Sequence, residues 1–225
     1  MRRYAFSIWG LIYLWMALWV VGQTIFRFRD VSVLAVTNDR VSVLFFLSAV
    51  LNCSWLFSWQ FQEFWLSCVV MVAYLITLCV IHFRIPVRYQ DFEKNRFDYF
   101  VTQVFISMNL GWISVATIAN FAITLAVDGV TSVGEISGPA AAVVMICVAT
   151  VLGLAGLLLN RDIVFCFVLI WAFVAIHAKQ TDERVRTGVI VNVVLLAVGC
   201  AVAIADLIRR RWLLQKEKPA TLLPQ

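Results

Sequence analysis

The residues of this chain best suited to chemistry are aromatic rings and amides, and they recur at helical spacing. Phe6, Trp9 and Tyr13 stand at i, i+3, i+7. Asn52, Trp55 and Trp59 repeat that spacing, with Ser48 one turn earlier. Asn109, Trp112, Ala116 and Asn120 run i, i+3, i+7, i+11. On an α-helix each set occupies one face. Large flat rings offer surface for stacking on planar molecules, and sparse polar groups among them fix orientation, which is how ligand pockets are composed. The implied chemistry is recognition, with Trp9, Tyr13, Asn52, Trp55, Trp59, Trp112 and Asn120 as candidate ligand-binding residues. The same spacing also fits plain packing. Asparagines bond helix to helix in membranes, and Trp and Tyr form interfacial belts, which would account for Trp15, Trp19 and Trp65. Spacing alone leaves both readings open.

Groups for bond-making are sparse. The only histidines, His82 and His177, fall near the ends of apolar runs and read as interfacial residues. No HExxH, GxSxG, P-loop or GxGxxG pattern occurs. Asp162 follows Arg161 at a tight turn and reads as its local ion-pair partner, while Asp206 stands one turn before Arg209 and Arg210. Glu63, after Gln60 and Gln62, reads as a solvated turn residue. The six cysteines, Cys53, Cys68, Cys79, Cys147, Cys166 and Cys200, lie in apolar runs without a CxxC pair and read as buried small hydrophobes. The expectation is a protein that is not an enzyme, with no catalytic set, no metal site and no resident cofactor.

What must position these residues is a membrane. The 225 residues are 63% hydrophobic and 14% charged, with mean hydropathy +0.91. A water-soluble fold could not cover so much apolar surface. Seven apolar segments are long enough, or nearly so, to cross a bilayer: Ala5 to Phe26, Val41 to Gln60, Phe64 to Phe83, Phe100 to Val127, Ala140 to Asn160, Ile163 to Ala178 and Thr187 to Ile208. The sixth is the shortest. Continuous apolar runs exclude a barrel and predict an all-α integral membrane bundle of about seven transmembrane helices. Arg27 to Arg40 and Arg84 to Asp98 read as the longest polar loops, and Asp128 to Pro139 as a glycine-rich turn region.

The net charge of +5 comes from residues between the spans and in the tail, with no basic stripe of the kind that binds nucleic acid. Arg2, Arg3, Lys179, Arg184 and Arg186 fall on one side of the membrane and the remaining Lys and Arg on the other. The positive-inside rule makes the richer side cytoplasmic, with the C-terminus, and the basic tail from Arg209 with Trp212 fits an anchor on anionic lipid. A bacterial-type inner or plasma membrane is the expected location. Ala149, Gly153 and Gly156 form a small-residue ridge for close packing within the chain or in a homodimer. Discontinuous helices, inverted repeats and midplane charges of a secondary transporter are not evident.

The three stripes also carry a family resemblance. Phe6-Ser7-Ile8-Trp9-Gly10-Leu11-Ile12-Tyr13 resembles the Phe/Trp/Tyr helix of the TspO/MBR family, the tryptophan-rich sensory proteins related to the translocator protein. Leu51-Asn52-Cys53-Ser54-Trp55-Leu56-Phe57 resembles its LN-x-x-W segment, and the stretch from Trp112 through Ala116 to Asn120 its W-x-x-x-A-x-x-x-N helix. The three come in the family's order. The resemblance covers residues 1–127 as a four-helix part, with 128–208 as three additional helices and 209–225 as a basic cytoplasmic tail. Arg161, Asp162, Phe165 and Trp171 resemble the start and centre of the penultimate helix in a longer branch of that family. Two departures stand out. The sequence opens at Met1-Arg2-Arg3-Tyr4 without the family's usual first helix and the proline-containing approach to the Phe/Trp/Tyr motif, so either this start site is too late or the core lacks that helix. A family proline pair is lacking as well. The resemblance implies binding of flat hydrophobic molecules, porphyrins and related tetrapyrroles in bacterial members, with sensory, regulatory or transport roles. A porphyrin- or haem-like ligand, membrane lipid and a second copy of the chain are the implied partners. The alternatives are an intramembrane enzyme acting on a lipid or porphyrin, and a secondary transporter.

Overall fold

The computed structural model describes residues 7–27, 32–84, 99–130, 132–133 and 136–217. Phe6, the polar stretch 85–98 and the end of the tail at 218–225 lie outside the described residues. The described chain forms seven helices: α1 (Ser7–Arg27), α2 (Ser32–Gln60), α3 (Phe64–Arg84), α4 (Val104–Val127), α5 (Gly138–Asn160), α6 (Ile163–His177) and α7 (Glu183–Glu217). A π-helical turn, Tyr99–Gln103, leads into α4. Two short strands, Ser132–Val133 and Ile136–Ser137, pair antiparallel before α5.

Five helices are long and apolar enough to cross a membrane, while the apolar stretches of α1 (Ser7–Gly22) and α6 are shorter. The protein is an all-α, multi-pass integral membrane protein. The seven expected spans match the seven helices, with two differences at the ends. α2 starts at Ser32, within the stretch expected as a loop from Arg27 to Arg40. No Gly or Pro falls between Ser32 and Gln60, so nothing in that sequence interrupts the helix. α7 likewise runs on through the basic segment to Glu217, and the first proline beyond it is Pro219.

The turns are locally encoded. Between α2 and α3, Gln62 takes a left-handed conformation (φ 61°), and the Glu63 N–H closes back on the Ser58 carbonyl at 2.9 Å. Between α5 and α6, Arg161 is left-handed (φ 55°) and the Asp162 N–H reaches the Gly156 carbonyl at 3.2 Å. The Asp162 carboxylate then caps α6 by accepting the Phe165 N–H.

α4 lies at the centre. It packs on α1, α3 and α6; α2 packs on α1 and α3, and α5, α6 and α7 pack on one another. Glycine permits the closest approaches. A Cβ on Gly111 of α4 would stand 3.1 Å from Val168 Cβ and 3.3 Å from the Phe165 carbonyl of α6. One on Gly153 of α5 would stand 2.8 Å from Leu169 and 2.9 Å from Leu196, so the small-residue ridge is filled at Gly153 from within the chain. α6 is the best-shielded short helix, with Phe165, Cys166, Leu169, Ala172 and Phe173 buried. Outward faces carry Phe46, Phe57, Val69, Ile76, Leu158, Leu159 and Ile208, apolar and exposed, as lipid contact requires.

Candidate functional site: an aromatic and amide cluster

The three stripes converge where α1 begins and α2 ends. Trp9 and Tyr13, one turn apart on α1, stack at 5.5 Å between ring centroids. Trp9 stacks in turn on Trp55 of α2 at 5.8 Å, with planes 21° apart. Trp112 of α4 meets Trp9 edge-on at 6.2 Å and 83°. Trp59 continues from Trp55 at 6.2 Å, and Phe64 at the start of α3 stands against Trp59. Both parallel and edge-on contacts suit the ring quadrupoles.

Two buried asparagines tie the rings to the helices. Asn52 Nδ2 donates to the Tyr13 hydroxyl at 3.3 Å, while Asn52 Oδ1 is buried with no hydrogen-bond partner. Trp55 Nε1 donates to Asn120 Oδ1 at 3.3 Å. Asn120 Nδ2 donates onward to Ser67 Oγ at 2.9 Å and Cys68 Sγ at 3.1 Å on α3. Trp112 and Asn120 are enclosed, whereas Tyr13 is 37% exposed and forms the open edge. All seven candidate residues thus belong to one connected set. The rings touch one another. Asn109, on the same stripe as Trp112, is drawn elsewhere: it exchanges hydrogen bonds with Tyr74 of α3 at 3.1 and 3.2 Å.

Several expectations need correction. Trp19 is 3% exposed and packs on Phe45 at 4.3 Å, so it is a core ring and not part of an interfacial belt. With Phe105 and Leu78 it lines a narrow pocket at the other end of the four helices, where its Nε1 finds no partner. Trp65 does sit at the surface and donates to Asp128 at 2.8 Å. Glu63 is exposed. The cysteines are all free, but Cys53 and Cys147 face outward and are not buried. No group of three potential metal ligands occurs among the described residues.

The larger correction concerns Asp162. Arg161 pairs with Asp206 of α7 at 2.9 Å, and Arg210 joins the same carboxylate at 3.0 Å. Asp162 turns the other way and is 5% exposed. Burial pushes its carboxyl above the usual carboxylate range, against the opposing pull of hydrogen bonds from Ser107 and the Phe165 N–H and of nearby His82. Sequence adjacency pointed to Arg161 because successive residues look like neighbours. The left-handed turn sends them to opposite sides.

No curated protein and no solved structure matches the chain. The sequence does match the TSPO-like protein family over residues 2–207, past the 1–127 region that carries the motifs and through the last three helices. That match takes in every residue of the aromatic cluster, and with it the chain belongs to the TSPO-like protein family.

Proposed function

We propose that the aromatic cluster binds a flat hydrophobic molecule of the tetrapyrrole or porphyrin class, and that the protein is a membrane binding or sensory protein, not an enzyme. The observation that carries the reading is the run of rings Tyr13–Trp9–Trp55, stacked, continued by the tilted Trp59 and bordered by buried Asn52 and Asn120. A planar ligand held among these rings would gain ring–ligand contacts of the same kind as the ring–ring contacts it replaces. Asn52 Oδ1, buried and unbonded, offers an acceptor to a ligand N–H or O–H. Membership of the TSPO-like family favours the same reading. The location proposed is a bacterial-type inner membrane, with the basic end of α7 in the cytoplasm against anionic lipid, either as a single chain or as a homodimer.

The experiment is a titration of the detergent-purified protein with protoporphyrin IX, followed by tryptophan fluorescence. The expected result is saturable quenching that weakens about fivefold or more in Trp55→Ala and Trp112→Ala, in line with about 1–3 kcal/mol for an aromatic stacking contact. Saturable quenching with unchanged affinity in both variants would move the site off this cluster, and absence of quenching would remove the ligand class.

A further inference from the structure

A second polar cluster lies away from the aromatic one, where α3, the entry to α4 and the α5–α6 turn meet. Gln103 Nε2, in the π-helical turn, donates to Ser107 Oγ at 3.0 Å. Ser107 donates to Asp162 Oδ2 at 2.6 Å, and the Phe165 N–H to Asp162 Oδ1 at 3.0 Å. His82 of α3 lies within electrostatic reach of this carboxyl. Its Nε2 is 3.5 Å from Asn160 Nδ2, and its Nδ1 is buried without a partner.

Among the described residues, no Lys or Arg pairs with Asp162. Arg161 is committed to Asp206, and Arg210 to the same carboxylate on the outer side of the turn. Among the described residues, the Cys166 thiol of α6 also faces Asp162, with Cys200 of α7 behind it, and α3 carries Tyr74, Cys79 and Arg84 besides His82. The π-helical turn offers the neutral Gln103, α4 the neutral Ser107 and α5 the neutral Asn160.

We propose that Asp162 and His82 hold a single proton between them, a proton-binding site that joins the first four helices to the last three. With one proton the pair is neutral overall. Without it a lone carboxylate is left in a buried site, and with two a lone imidazolium, and both are costly where water cannot reach. Interacting groups of this kind titrate as a pair.

The consequence is a specific dependence of stability on pH. In the unfolded chain Asp titrates near ~3.9 and His near ~6.5. A carboxyl held protonated in the fold stabilises fully below ~3.9, and that share is lost as pH rises toward its folded value. Between about pH 4 and 6.5 the loss is offset, because unfolded His82 still carries the one proton that the folded pair carries. Above ~6.5 the unfolded chain has released it and the folded pair has not. The folding equilibrium constant then falls about tenfold per pH unit until the pair gives up its proton.

The test is reversible unfolding of the full chain in mixed micelles from pH 5 to 9, with two variants. Asp162→Asn keeps acceptors for Ser107 and Phe165 but has no proton to lose, so the decline above about 6.5 should be missing from it. His82→Gln leaves Asp162 alone, so the decline should begin already at the acid end of the range. A wild-type profile flat from pH 6.5 to 9 overturns the proposal even if neither variant folds. A decline that persists unchanged in Asp162→Asn, or a His82→Gln profile identical to wild type, overturns it as well.

Discussion

Replacing Gly111 with alanine probes the contact on which the two halves of the bundle depend. The new methyl would stand 3.1 Å from Val168 Cβ, 3.2 Å from its Cγ1 and 3.3 Å from the Phe165 carbonyl oxygen. None of these atoms can swing aside. Valine in a helix is held to one rotamer, and the carbonyl is part of the α6 backbone. α4 and α6 must therefore separate by a few tenths of an ångström. Against this, alanine in a helix interior is favoured over glycine by about 1 kcal/mol. Overpacking of a close contact costs about 1–3 kcal/mol. The difference leaves Gly111→Ala destabilised by about 1 kcal/mol, roughly fivefold in the folding equilibrium constant.

Gly10→Ala is the matched control. Gly10 is exposed on α1 with no atom within 4 Å of an added Cβ, so only the helix preference acts. It should stabilise by about 0.5–1 kcal/mol. The assay is reversible unfolding in mixed micelles, read by tryptophan fluorescence. Trp112 adjoins Gly111 and touches Trp9, so the folded emission of Gly111→Ala should also shift. Finding Gly111→Ala as stable as Gly10→Ala would refute the close-contact argument, because the two differ only in what surrounds the added methyl.

Two further outcomes are expected. Gln62→Gly should stabilise the protein by about 1 kcal/mol in the same unfolding assay, since Gln62 holds a left-handed backbone that penalises a side chain, and a loss of stability would mean that its side chain matters more than its φ of 61°. A double-mutant cycle of Tyr74→Phe and Asn109→Leu should give a coupling of about 0.6–1.7 kcal/mol for the buried exchange at 3.1 and 3.2 Å, and a coupling near zero would show that each partner is satisfied elsewhere.

The spans were legible because the bilayer imposes a length and a composition on them. Helix ends were less so: Ser32 lies in a polar stretch, and what decides that α2 continues through it is the absence of a breaker. The aromatic cluster was legible because i, i+3, i+7 spacing fixes which residues share a face, and Trp9, Trp55 and Trp112 duly meet. Spacing does not say which neighbour a face will meet. Asn109 therefore went to Tyr74, and Trp19 went to the core. Asp162 was misjudged for a different reason. The sign of one backbone angle at Arg161 decides which way it points, and a sequence shows no such angle.

The length of α7 has a mechanical corollary. Its 35 residues make a rod of about 52 Å, against a hydrocarbon core of about 30 Å. Leu196 and Cys200 are gripped between α5 and α6, and no proline interrupts the rod before Glu217. The rod is therefore a lever with its fulcrum inside the bundle. From Asp206, where Arg161 clasps it, to Glu217 the helix measures about 16 Å, so a tilt of about 10° about Asp206 carries the tip sideways by about 3 Å. A small tilt of α7 inside the bundle is therefore magnified at its basic end.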